Sequence, residues 1–255
     1  MNPDLRRPFA AEPLESRRLL SSVTLTTGGT LEAVGDQGAP NVISIGYTPG
    51  KRFIVCVMNG TPTDFRSNDV RSVRVFGGAL ADQITITQGR AVFDKNVRAV
   101  CGAGDDTFLG GGENDVVFGN DGNDFISVGN GDDAVVGGNG DDRILAGDNT
   151  KTIYGGAGDD VIEVGSGRGY IFGGAGNDAI PSRGDRFELL GNAGSDTITG
   201  HGRDTIYGGG GGTDVLHGAT QINSGEVKGI NKIEALLMPT EPSLPIVAAA
   251  AGRHR

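Results

Sequence analysis

Six aspartates stand eighteen residues apart in this 255-residue chain: Asp106, Asp124, Asp142, Asp160, Asp178 and Asp196. Each follows a glycine-rich stretch, as in "GGNGDDRIL" from Gly137 and "GGAGDDVIE" from Gly155. Carboxylates stacked one coil of chain apart, roughly 4.8 Å, repel one another unless a cation lies between them. Hard oxygen donors at the spacing of a turn suit Ca²⁺. Asp214 continues the series beyond a local slip in the repeat.

The elements that must hold these carboxylates follow from a second period. An apolar residue returns every nine positions: Phe108, Val117, Ile126, Val135, Ile144, Ile153, Ile162, Ile171, Ile180, Leu189 and Ile198. Ile206 and Val215 are read as its continuation, after a one-residue deletion and a compensating insertion. Nine is neither a helical nor a heptad period. It fits a six-residue turn followed by a three-residue strand whose middle side chain faces inward. Glycines supply the positive-φ conformations such turns require. Two nonapeptides then make one coil, with one strand in each of two parallel sheets. The expected fold is all-β, a parallel β-roll.

"GGNGDDRIL", "GGAGDDVIE" and "GGAGNDAIP" resemble the RTX, or hemolysin-type, calcium-binding nonapeptide G-G-x-G-x-D-x-U-x. The resemblance covers residues 101–218. It implies a β-roll in which Ca²⁺ sits between turns stacked on one edge, held by the sixth-place Asp and by turn carbonyls. The metal-site residues it implies are Gly102, Gly104 and Asp106; Asn120, Gly122 and Asp124; and Gly138, Gly140 and Asp142. Gly156, Gly158 and Asp160 follow, then Gly174, Gly176 and Asp178, and Asn192, Gly194 and Asp196. On the opposite edge it implies Asp115 and Asp133, with Glu113 where a glycine is expected. Lys151, Gly169 and Phe187 then take the sixth place, so the second ladder is expected to stop after its first pair.

The ninth places carry another asymmetry. Phe118, Val136, Tyr154, Phe172, Leu190 and Tyr207 form an apolar stripe on one sheet, read either as packing or as a docking face for a protein or surface partner.

Residues 101–218 hold twenty acids against six bases, a charge that repels phosphate and argues against nucleic acid. No apolar run reaches membrane-spanning length. Residues 1–22 read as a basic leader whose "PLESRRLLSS" is similar to the LEPRxLL-type motif of exported repeat-rich proteins. Residues 23–100 read as a β-segment that caps or extends the roll, with weaker repeats at Gly35 and at "GGALADQIT", where Asp82 holds the sixth place. Residues 219–255 read as a closing segment and loose tail.

Catalysis finds little support. His201, His217 and His254 are the only histidines, and neither His-Glu-x-x-His nor Gly-x-Ser-x-Gly occurs. Two function classes remain. One is an exported Ca²⁺-binding β-roll, extracellular or at the cell surface, that folds on Ca²⁺ and has a structural or adhesive role. The other is a β-helix lyase or epimerase of acidic polysaccharide, or a non-catalytic remnant of a secreted RTX-type enzyme.

Overall fold

The computed structural model describes residues 21–87, 93–218 and 220–222. Nearly all of the leader and of the closing segment, including His254, lies outside these. Within them the chain forms strands and turns and no helix, arranged as two eleven-stranded sheets. Successive coils place one strand in each sheet. Val116–Asp121 pairs in parallel with Asp133–Asn139, and Phe125–Gly129 pairs with Arg143–Ala146.

The register is the eighteen-residue period made visible. Val117 stands opposite Val135, which stands opposite Ile153, then Ile171 and Leu189. In the facing sheet Phe108, Ile126, Ile144 and Ile162 align in the same way. All of these side chains are fully buried and form one continuous core file. Burial of branched aliphatic side chains on both inner faces is what stabilises strands only three to nine residues long.

The one-residue deletion appears as Leu189 opposite Ile206. In the other sheet Ile198 stands opposite Leu216, not Val215. Val215 is therefore exposed, and Leu216 packs against the core. The additional residue in the "GGGGGTD" turn moves the inward position by one, so the expected place of Val215 in the core file is corrected to Leu216.

The segment before residue 101 shares both sheets. Thr30–Val34, Ser72–Gly78 and Val97–Ala103 precede Val116–Asp121 in the first sheet, all in parallel. In the second sheet Val42–Tyr47 runs parallel to Gln83–Thr87 and then continues outward through antiparallel strands Phe53–Met58 and Thr61–Arg66. Pro62, Asp64 and Arg66 on that last strand make an edge unsuited to further pairing. Cys56 and Cys101 are both buried and unbridged.

Candidate metal edge

Adjacent acids in the repeat do different work. At "DD" 141–142, the backbone N–H of Asp142 donates to Oδ1 of Asp160 on the next coil, at 2.8 Å. The N–H of Asp141 donates to Oδ1 of Asn123 on the preceding coil, also at 2.8 Å. Sixth-place side chains thus reach back one coil and are buried, while fifth-place side chains reach forward and are exposed. The two like charges point in different directions.

The buried series runs the length of the roll. Asn41, Asp82, Asp106, Asp124, Asp142, Asp160, Asp178 and Asp196 each donate a backbone N–H to Oδ1 of the next member, ending on Asp214. Asp82 therefore belongs to the ladder although Asp106 lies twenty-four residues later. Its second oxygen matters more. Oδ2 of Asp82, Asp106, Asp124, Asp142, Asp160, Asp178 and Asp196 is buried with no hydrogen-bond partner. A buried carboxylate oxygen left without a donor costs free energy in any fold that has no cation for it.

Glycine keeps the space around that oxygen open. A Cβ on Gly137 would stand 2.2 Å from Asp142 Oδ2 and 2.5 Å from the carbonyl oxygen of Gly155. The same pair of oxygens converges at Gly119, Gly155, Gly173 and Gly191. These leading glycines of each "GG" or "GN" pair line the candidate site, and sequence reasoning passed over them. The positions it did single out, such as Gly138 at φ 132° and Gly140 at φ 120°, shape the turn. Gly102, Gly104, Gly122, Gly156, Gly158, Gly174, Gly176 and Gly194 share that conformation, and Asn120 and Asn192 also have positive φ, at 81° and 75°.

Electrostatics fits the same picture. Burial, followed by the neighbouring carboxylates, pushes the carboxyls of Asp106, Asp142 and Asp160 up to about 7. Those of Asp124 and Asp178 rise to about 6, again chiefly through burial. The accepted backbone N–H opposes the shift at every one.

The second edge is built otherwise. Asp115 accepts Val97 N–H on Oδ1 and Gly111 N–H on Oδ2, at 3.1 and 3.3 Å. Asp133 accepts Asp115 N–H on Oδ1 and the Lys151 ammonium on Oδ2. Both carboxylates are fully partnered. Phe187 is buried, and its ring fills the space beside Gly184. Asp204, which the one-residue slip concealed, receives Phe187 N–H on Oδ1 and the Ser182 hydroxyl and His201 N–H on Oδ2.

Residues 102–135, 118–150, 127–162, 136–171, 152–180 and 188–216 match the family model of the RTX calcium-binding nonapeptide repeat. The array is made of RTX-type repeats. Between its last two matched stretches lie residues 181–187, where Ser182, Arg183, Asp185 and Phe187 stand in the places of the three glycines and the aspartate. No curated protein and no solved structure matches the chain. The residues present fit the ion for which the family is described: orphaned carboxylate oxygens and turn carbonyls, all hard donors, along one edge of the RTX array. Among the described residues no three His, Cys, Asp or Glu side chains converge on one point. Any ion held there would take part of its donor set from backbone carbonyls.

The ninth-place stripe lines up in register on the outer face of the first sheet. It is not open. Phe172 is 1% exposed and Leu190 2%, and Tyr154 stacks on Phe172 with ring centroids 4.4 Å apart. His201 and His217 are exposed turn or strand-end residues. No helix among the described residues is long and apolar enough to cross a membrane.

Proposed function

We propose that this chain is an exported calcium-binding β-roll with a structural or adhesive role at the cell surface or outside the cell. One observation carries the calcium reading: seven buried carboxylate oxygens without a partner lie along a single edge. Asp106, Asp124, Asp142, Asp160, Asp178 and Asp196 would hold the ions there with turn carbonyls, and Asp82 would extend the series. A divalent ion between coils supplies the charge that seven stacked carboxylates lack. Its binding free energy then becomes folding free energy.

Export is supported by the calcium supply that low-affinity oxygen sites need, which extracellular fluids provide. It is supported also by the similarity of residues 13–22 to an export-type motif. A scaffold or adhesive role suits a regular solenoid whose family match is to a repeat and not to a catalytic domain.

Calorimetric titration of Ca²⁺ into chelator-treated protein, followed by circular dichroism, tests this reading. Saturable heat with a gain of β-structure is expected. Identical spectra in chelator and in Ca²⁺, with no heat, would remove it. Turnover of a uronate polymer would move the protein to the lyase or epimerase class.

A further inference from the structure

Lys151 is the one lysine of the roll in a sixth place, and its side chain is fully buried. It lies on strand Asn149–Ala157, in register with Asp133 on the preceding coil. Its ammonium donates to Asp133 Oδ2 at 2.9 Å and to the carbonyl oxygens of Gly131 and Asp148, both at 2.5 Å. An ammonium has three donors, and all three are used. The acceptors are one carboxylate oxygen and two turn carbonyls. Those are the donor types that face each other on the first edge between Asp142 Oδ2 and the Gly155 carbonyl.

The contrast with the first edge is complete at the level of single atoms. There, each sixth-place carboxylate from Asp82 to Asp196 leaves Oδ2 unpartnered. Here Asp133 Oδ2 is met by a cation the chain itself carries. A buried carboxylate is tolerated only when it is paired or hydrogen-bonded, and a covalently attached ammonium pairs Asp133 at any calcium concentration.

We propose that Lys151 is a tethered cation that occupies the between-coil cation position of the second edge beside Asp133 and excludes Ca²⁺ from it. The equivalence of the two positions rests on the calcium reading of the first edge. Calcium is then excluded from the second edge at the coil of Asp133 and Lys151. Further along that edge the Phe187 ring fills the space beside Gly184, and the Ser182 hydroxyl is donated to Asp204.

The test is a count of bound ions by native mass spectrometry on the full chain at saturating Ca²⁺. Lys151→Asp restores a sixth-place carboxylate on the second edge. It should bind one more Ca²⁺ than the wild type and melt at the wild-type temperature only when Ca²⁺ is present. An unchanged count in the folded variant overturns the proposal. Should Lys151→Asp fail to fold even in Ca²⁺, amine acetylation of the wild type decides. Lys151 should react at least tenfold more slowly than Lys51, whose side chain is 46% exposed. Equal rates overturn the tethered cation. A wild type that binds no Ca²⁺ at all removes the calcium reading instead, and the acetylation ratio still judges the ion pair.

Discussion

Asp160 serves two coils with two oxygens: Oδ1 accepts the backbone N–H of Asp142 at 2.8 Å, while Oδ2 is buried without a partner. One oxygen closes the turn and the other waits for charge. These roles separate by mutation. Asp160→Asn keeps an oxygen for the Asp142 N–H and loses the negative charge, so calcium heat should fall while chelator-state structure is retained. Asp160→Ala also strands the Asp142 N–H, at a further cost of about 1–3 kcal/mol. Calorimetry and thermal melts on the pair check this. Equal behaviour of the two variants would show that the hydrogen bond contributes nothing.

Gly137→Ala should damage the proposed calcium edge through a single methyl group. Its Cβ would lie 2.2 Å from Asp142 Oδ2, a distance real contacts do not reach, so the carboxylate or the backbone must shift. A cost of about 1–3 kcal/mol is expected for such overpacking, together with weaker Ca²⁺ binding. Gly210→Ala is the control, because a Cβ there meets nothing within 4 Å. Matching melting temperatures for the two variants would contradict the cradle.

Much of this was legible before the fold. The nine-residue period named the inward file from Phe108 to Ile198 without an error, because a rigid coil length transmits register from one turn to the next. Legibility failed where the coil length changed. The glycine-rich turn before Asp214 admits its extra residue ahead of the strand, which put Leu216 and not Val215 inside. The shortened coil hid Asp204 from the period. Lys151 was visible as a break in the acidic series, but a spacing rule cannot say that a four-carbon stem folds back onto Asp133 and two carbonyls. Asp82 joined the ladder through pairing across twenty-four residues in place of eighteen, a relationship set by the sheet.

Acid should stabilise the metal-free roll. The carboxyls of Asp106, Asp142 and Asp160 titrate at about 7 in the fold, above the value of about 4 for an unfolded aspartate. The native state therefore binds protons more tightly, and its stability falls as pH rises from about 4 through about 7. In chelator the melting temperature should drop between about pH 5 and pH 7.5. With Ca²⁺ present the trend should reverse, because protons compete with the ion for the same oxygens. Parallel melting curves in the two buffers would show that these oxygens are not where Ca²⁺ binds.

The stripe on the first sheet should behave as packing. Phe172 is 1% exposed and stacks on Tyr154, with Leu190 beside it in the next coil. Truncating a buried aromatic costs about 3–5 kcal/mol through lost contacts and the cavity left behind. Phe172→Ala should lower the melting temperature even with saturating Ca²⁺, although the acidic edge begins at the next residue, Gly173. Phe118 tests the face at its other end, where Arg98 lies over the ring at 4.8 Å. Phe118→Thr removes both the ring and that cation–π contact, and a smaller loss is expected because Phe118 has no stacked aromatic neighbour among the described residues. A docking face would give the opposite signature, with melting temperatures unchanged in both variants and self-association or partner capture lost. Residues 239–255 lie outside the described residues. Deleting them while following dye binding and oligomeric state shows whether they supply the cover: new dye binding assigns it to the tail, and no change leaves it to the rest of the chain.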